Sequence, residues 1–369
     1  MREKIYLMFL KNCFSALLLG LAALSCITPI FPAGAAPTKG YLIFDNDFAG
    51  PGGTNIQSII PILGRKDTSD FLGFTVVIGD GWENEAVAHL SRFLDIADIA
   101  ATLPVVPGAT QPLVNSRPRL LAWEQSNGKM PWKGAWRGNA PDLQPPVGPL
   151  KEGASLRAIS TETAALFLIR QVHAHPHQVT VLAAGPLTNI ALAIKLDPDF
   201  AALCKKLVFM GAIVDGNLRQ VTDSADYYTD FNLMFDPEAA SITLEAPFPE
   251  IISIGAVANP IRMTPDIRDQ AARNPGAISD YLKHYFRPQP MWDELAAAIA
   301  LDPSLITSSV TAYMDVDLTH GPNYGYAHAW PEATRPHIGE RPVIVVTGVD
   351  KDRFVKGFIE AANRMNSHD

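Results

Sequence analysis

Tyr41-Leu42-Ile43-Phe44-Asp45-Asn46-Asp47 is an apolar run that ends in two carboxylates two residues apart, and the glycine-rich Phe48-Ala49-Gly50-Pro51-Gly52-Gly53 follows at once. Side chains alternate along a strand, so Asp45 and Asp47 are expected to point the same way at its carboxyl end. In an open parallel sheet that end is where ligands and metals bind. Two close like charges are costly unless a cation or a shared proton sits between them, so the pair suggests a hard metal with oxygen ligands. The plainer alternative is a turn whose Asp residues cap a following helix.

Outward from this segment, apolar strands alternate with helices. Tyr41–Phe44, Phe74–Ile78, Val179–Ala183, Leu207–Met210, Ile251–Ile254 and Val343–Thr347 read as strands, several of them continuous apolar runs of the kind buried on both faces. Between them lie helical patterns at Asn84–Ala97, Glu162–His173, Thr188–Lys195, Pro237–Leu244 and Glu294–Ala300. Asp236-Pro237-Glu238 sets an N-cap, an N1 proline and a first-turn acid in order. This alternation predicts an α/β fold, a mostly parallel sheet flanked by helices in a single large domain. Residues 115 to 153, rich in Pro, Gly and Trp, show no sustained period and read as a long excursion over the site. Strand after strand ends in groups of one character: Gly79-Asp80, then Ala184-Gly185-Pro186-Leu187-Thr188-Asn189, then Gly211-Ala212. All belong on one rim of the sheet.

The amino terminus points to export. Met1-Arg2-Glu3-Lys4 and Lys11 precede the apolar stretch from Phe14 to Cys26, and Ala33-Gly34-Ala35 offers a small-x-small cleavage site, so residues 1–35 read as a secretory signal peptide and the remaining chain as secreted or periplasmic. The apolar stretch is too short for a comfortable membrane span, which leaves no transmembrane helix expected in the mature chain. Ala23-Leu24-Ser25 before Cys26 makes an imperfect lipoprotein signal, a minority alternative. The net charge is −8, and the leader itself is basic, so the remainder is more acidic still, which argues against nucleic acid as a partner. Cys13 and Cys26 fall in the leader, leaving Cys204 without an internal disulfide partner.

Asp45-x-Asp47, Gly185-Pro186-Leu187-Thr188-Asn189, Met210-Gly211, Asp230-Phe231-Asn232 with Asp236-Pro237-Glu238-Ala239-Ala240, and Trp292-Asp293 with Asp302-Pro303 together resemble the ordered motifs of the inosine-uridine preferring nucleoside hydrolase family, from about Tyr41 to about Phe358. The resemblance implies a Rossmann-like α/β fold, a Ca²⁺ ion at the floor of a deep pocket, and hydrolysis of the N-glycosidic bond of ribonucleosides or related N-ribosides. Breaking a ribosyl C–N bond passes through an oxocarbenium-like state, which calls for a poised water, a negative environment for the sugar ring and a way to neutralise the departing base. On this resemblance Asp47 ligates the metal and takes the water's proton, Asp293 is a second ligand, and the backbone carbonyl of Ala184 is a third. Asn217, Asp230 and Asn232 match residues that hydrogen-bond the sugar hydroxyls, with Met210 beside the ring. Asp80 stands where the family usually shows Asn, and can still accept from a hydroxyl.

Two departures matter. The family normally reads Asp-x-Asp-x-x-x-Asp-Asp, but here the loop runs Gly50-Pro51-Gly52-Gly53-Thr54-Asn55, and a short insertion brings Thr54 and Asn55 onto the last two positions. Asn55 offers calcium only a neutral oxygen, which lowers the expected affinity, and Thr54 can bond a sugar hydroxyl but cannot act as a base. Trp292 stands where purine-cleaving members commonly carry a histidine for the leaving base, and indole cannot transfer a proton at ordinary pH. His320 and His328, in a late loop, are candidate substitutes, with a surface role the plainer reading of each.

Structural alternatives accompany the other assignments. Thr188 and Asn189 read as helix starters, Asp236 as a cap, and Asp293 as a cap of the following helix in the absence of the family match. His173, His175 and His177 read as a solvated helix end rather than a metal trio. Trp123, Trp132 and Trp136 are suited either to stack on a base or to pack the excursion down. A rival reading of the whole chain is a catalytically impaired protein on the same scaffold that binds calcium, nucleosides or sugars. The sequence leaves open whether chains associate as a homo-oligomer.

Overall fold

Tyr41–Asn46 forms the first strand, β1, and is buried from Leu42 onward in the computed structural model, which describes residues 40–211 and 230–366. Leu42 and Phe44 enter the hydrophobic cluster on one face of the sheet, while Ile43 enters the cluster on the other. That is why this strand shows no polar alternation: both of its faces are interior. The expected leader at residues 1–35 and Asn217 lie outside the described residues.

β1 pairs in parallel with β2 (Phe71–Val76) on one side and β4 (Val179–Ala183) on the other. The parallel run continues through β5 (Lys206–Met210), β6 (Ile251–Ile254) and β9 (Pro342–Val349), with the short β3 (Val105–Val106) beyond β2. With β7 at Ile306–Val316 and β8 at Ala327–Trp330, the strand order β3-β2-β1-β4-β5-β6-β9-β7-β8 makes a nine-stranded sheet. The chain therefore moves outward from β1 in one direction, then returns to its other side with β4. A crevice opens at such a reversal, outside the carboxyl ends of the strands. Asp47 and Ala184 leave the two strands that border it.

Helices cover both faces of the sheet, among them Glu83–Ile96, Ala164–Ala174, Thr188–Leu196, Pro237–Glu245 and Trp292–Leu301, close to the predicted bounds. Asp236 caps its helix as expected, accepting from Ala239 N at 3.1 Å, with Pro237 at the first helical position. Other elements were not anticipated. β7 (Ile306–Val316) and β8 (Ala327–Trp330) join the sheet antiparallel at its edge, where β7 is largely exposed over Thr307–Thr311 and so lacks a long apolar run. Helices Pro265–Ala271, Ala277–His284 and Lys351–Arg364 likewise add to the flank. No helix among the described residues is long and apolar enough to cross a membrane. Cys204 is free and buried.

The excursion of residues 115–153 is not aperiodic throughout, because Arg117–Asn127 is helical, started by Ser116 and Pro118. Its apolar face is short, Leu120 being its one fully buried aliphatic, so the pattern is faint in the sequence. Two of the tryptophans take the packing role. Trp136 is 0% exposed and stacks on Phe235 with ring centroids 4.2 Å apart, and Trp123 Nε1 donates to Gly321 O at 2.9 Å; both tie the excursion down. Trp132 remains 46% exposed. Trp136→Ala should therefore cost about 3–5 kcal/mol in urea or thermal unfolding and speed proteolytic cutting within residues 115–153; an unchanged stability would show that the excursion is held elsewhere.

Candidate active site

Asp45 lies opposite Thr75 in the β1–β2 register, and the match places the Thr75 hydroxyl 2.6 Å from Asp45 Oδ2, to which it donates. Asn189 Nδ2 donates to the same oxygen at 2.7 Å and to Val76 O at 2.9 Å, while its Oδ1 accepts from Ala109 N. Asn189 thus clamps three chain segments instead of merely starting its helix, and Thr188 donates to Asp236 Oδ2 at 2.7 Å. Asp45 Oδ1 is buried with no hydrogen-bond partner among the described residues. Burial, only partly offset by the Thr75 and Asn189 bonds, raises the Asp45 pKa to about 7.

The strand ends at Asn46, and strict alternation ends with it. Asn46 and Asp47 both approach Asn55: Asn55 Nδ2 donates to Asp47 Oδ1 at 2.7 Å and lies 3.4 Å from Asn46 Oδ1. The same Nδ2 is 3.2 Å from Asp293 Oδ2, which also accepts from Asn46 Nδ2 at 3.1 Å. One amide therefore bridges the two carboxylates named as metal ligands. Asp293 sits in the first turn of Trp292–Leu301 without capping it; its side chain is turned to Asn46 and Asn55. Asp47 Oδ2 accepts from Asp80 N at 2.6 Å. A Cβ on Gly79 would fall 2.1 Å from that oxygen, so only glycine fits there.

Asp47 and Asp293 are 1% and 3% exposed. Burial raises both pKa values well above the usual range, Asp80 adding repulsion at Asp47 and Asp47 adding it at Asp293. Next to them Thr54 accepts from Asp293 N at 2.9 Å and donates to Glu294 Oε2 at 2.6 Å. Burial pushes Glu294 up to about 8. Glu294 and Asn46 are the site residues that sequence reasoning missed; Glu294 was visible only as a first-turn acid, and Asn46 only as the residue between two aspartates.

Above this floor opens a cavity of about 800 Å³ lined by Thr54, Asn55, Asp80, Ala184, Met210, Asp230, Asn232, Trp292 and Asp293, among others. Thus nine of the expected site residues face one space, with Asp47 hydrogen-bonded to two of its lining residues and Asp45 set apart on Thr75 and Asn189. Asp230 caps Phe231–Phe235 through Asn232 N at 2.8 Å, and burial raises it to about 7. Asn232 Nδ2 donates to Ala184 O at 3.0 Å and Met210 O at 3.1 Å, leaving its carbonyl oxygen available. Trp132 Nε1 donates to Asp80 Oδ1, so this ring forms part of the wall. Trp292 Nε1 donates to Asn259 Oδ1 at 2.8 Å, which uses the only donor that indole has. His320 packs tilted against Tyr324, His328 stacks on Trp330, and neither lines the cavity. His173 pairs with Asp197 and His175 stacks on Tyr41, away from any shared metal geometry.

The donors available to a metal are all oxygens. Among the described residues no three His, Cys, Asp or Glu side chains converge as a ligand set. What remains is two carboxylates, Asp47 and Asp293, with the neutral oxygens of Asn55 and Ala184. Excess buried negative charge and the orphaned Asp45 Oδ1 fit a hard cation, and the oxygen donors suit calcium better than a thiophilic ion. The Asn55 amide presents nitrogen to the two carboxylates here; with a cation between them a half-turn of the same amide would present oxygen.

Comparison with known proteins gives the family and the fold. The family model for inosine-uridine preferring nucleoside hydrolases matches residues 42–356. An uncharacterized protein of Schizosaccharomyces pombe is 30% identical over 90% of this chain and 88% of its own length. The pyrimidine-specific ribonucleoside hydrolase of Escherichia coli is 26% identical over 78% of this chain and 86% of its own. Among solved structures, an inosine-guanosine nucleoside hydrolase superposes with a TM-score of 0.69 at 23% identity, over 88% of this chain and 99% of the other, which bears on the fold alone. With a family model matched over residues 42–356, the chain belongs to the inosine-uridine preferring nucleoside hydrolase family.

Proposed function

We propose that the chain hydrolyses the N-glycosidic bond of ribonucleosides or related N-ribosides with Ca²⁺ as its metal, and that residues 1–35 direct it outside the cytoplasm. The observation that carries the reading is the pairing of Asp47 with Asp293 across Asn55 beneath the cavity. Asp47, Asp293, Asn55 and the Ala184 carbonyl would hold the ion, with Asp45 adding negative charge nearby. When bound, calcium supplies a polarised, more acidic water and a grip on ribose hydroxyls.

The protein's own groups do the rest. Asp47 accepts a proton from the water as the water oxygen bonds to C1′; the C1′–N bond breaks and its electron pair leaves with the base. Asp230 and the free oxygen of Asn232 accept from sugar hydroxyls, and Asp80 offers Oδ2, its Oδ1 being engaged by Trp132. Met210 packs beside the ring. Thr54 contributes its remaining acceptor position, since its hydrogen goes to Glu294. Trp292 gives the base an apolar face and no proton. The name of the Escherichia coli relative supports uridine as a first substrate to try. Asn55 favours a second reading, a protein of the same scaffold that binds without turnover, because its amide already satisfies the two carboxylates.

Asp47→Ala should lower kcat/KM on uridine by about 10²–10⁴-fold, the usual worth of a general base. Calcium at about ten times its Kd should raise the Tm by about 2–4 °C, and Asp47→Ala or Asp293→Ala should remove that rise. Asn55→Asp should tighten calcium binding by restoring a charge. No calcium-dependent stabilisation at millimolar metal would count against the site.

The raised carboxyls add a pH signature. Asp45, Asp230 and Glu294 have folded-state pKa values of about 7, 7 and 8 against ordinary values of 3.8, 3.8 and 4.5. Between those limits the folded protein holds protons that the unfolded chain has released, so metal-free stability should fall as pH rises to about 8. Calcium competes with those protons, so its stabilisation should be larger at the alkaline end. Thermal melts across this range with and without calcium check both; a metal-free Tm that climbs with pH would refute the assignment of charge.

Leaving-group chemistry separates the two readings. With no acid beside the base, p-nitrophenyl riboside, whose phenol departs readily as an anion, should be cleaved much faster than inosine or uridine, and Trp292→His should narrow the gap by improving only the nucleosides. Equal, high rates on all three would reveal another acid. No cleavage even of the phenyl riboside with calcium present would leave the binding protein.

A further inference from the structure

The mouth of the cavity carries a charge pattern that its acidic floor does not explain. Arg137, Arg262 and Arg287 all line it. Each guanidinium donates only to backbone carbonyls: Arg137 Nη1 to Asp80 O and Gly134 O at 3.1 Å, Arg262 Nη2 to Pro288 O at 2.5 Å, and Arg287 Nη2 to Gly50 O at 3.4 Å. Among the described residues none of the three has an ion-pair partner, whereas Arg65, Arg117, Arg170 and Arg353 elsewhere on the surface each pair with a carboxylate. Arg137 and Arg287 lower the Asp80 carboxyl against the rise from burial, yet neither is bonded to it.

These arginines are anchored. Arg262 bridges to Pro290, and Met263 N and Met291 N bond across the same pair of segments to Gln289 O and Ile261 O at 2.9 and 2.8 Å. Arg287 packs over the Gly53 turn, its Cδ 3.4 Å from where a Cβ on Gly53 would lie. Arg137 lies over the Trp132 ring at 5.9 Å. A guanidinium has five N–H donors in a planar fork that matches an oxyanion, and each of these has most of its donors unused. Arg137 faces Asp80 and Glu85 and Arg287 faces Asp80 across the same opening, but among the described residues none of the three guanidiniums bonds to a carboxylate, and a neutral nucleoside would leave that unchanged.

We propose that the substrate is an N-riboside bearing an oxyanion, a carboxylate or a phosphate, which Arg137, Arg262 and Arg287 take up at the mouth while the ribose lies on the Asp47 and Asp293 floor. The proposal rests on the reading of this cavity as a riboside site. Arg262 and Arg287 flank the segment that leads into Trp292, on the side of the departing base, which puts the charge on the base. A base carrying a carboxylate and held by guanidiniums departs more easily with the C1′–N electron pair, which meets the need that Trp292 leaves unfilled.

The test compares uridine, orotidine (carboxylate on the base) and uridine 5′-monophosphate (phosphate on the ribose), by kinetics and by calorimetric titration at low ionic strength with calcium present. Orotidine should exceed uridine in kcat/KM by about 10- to 100-fold, the worth of one or two charge-assisted hydrogen bonds. Added salt should shrink that ratio, and the double variant Arg262→Gln with Arg287→Gln should remove most of it. A preference for the monophosphate instead would keep the oxyanion subsite and move its occupant to the ribose. Equal values for all three ligands, or a ratio unmoved by the double variant, would overturn the proposal. Tighter binding of an anionic ligand with no turnover of any would support the subsite and refute the hydrolase.

Discussion

Like charge held close is the constraint on which this site depends. Asp47 and Asp293 come from opposite parts of the chain and are both sealed from water, an arrangement that repels itself unless something positive or hydrogen-donating lies between them. In this structure the amide of Asn55 fills that role, bonded to both. The surroundings are shaped around it. Gly79 lacks a Cβ so that Asp47 can seat, Thr54 links Asp293 to Glu294, and Asn46 adds a second donor. An anionic residue at position 55 would demand a cation; a neutral one makes the cation an option that must compete with an intramolecular hydrogen bond.

Much of this was legible before any coordinates. Short continuous apolar runs bounded by turn residues read as strands with two buried faces, and β1, β4, β5 and β6 stand within two residues of their predicted bounds. Asp236-Pro237-Glu238 announced its helix because the cap chemistry is local. Elements on the periphery were harder to read. β7 faces solvent over Thr307–Thr311 and pairs antiparallel at an edge, so neither burial nor alternation marks it. The helix Arg117–Asn127 buries too little to impose a period.

For the site the division is similar. The positions of Asp47, Asp80, Asn232 and Asp293 around one cavity followed from motifs at strand ends and from the family resemblance. Their partnerships did not. That Asn189 serves Asp45, that Asn55 joins two carboxylates and that Trp292 gives its only donor to Asn259 are tertiary facts between residues far apart in the chain. The alternation rule also stops where the strand stops, so Asn46, the residue between two aspartates expected to share a face, reaches Asp293. The arginines at the mouth carry no local signature; only their convergence on one opening sets them apart.

The hydrogen bond from Asn46 to Asp293 spans 247 positions of sequence. Closing so long a loop is entropically expensive and comes late when a chain folds, after the parallel strands between have stacked in order. A nascent or truncated chain lacking Asp293 would have β1 and its carboxylates with no opposing wall, and a partly folded one would expose Asp45 and Asp47 to water, where they ionise freely. Competence at this site thus requires that segments from both halves of the chain have met.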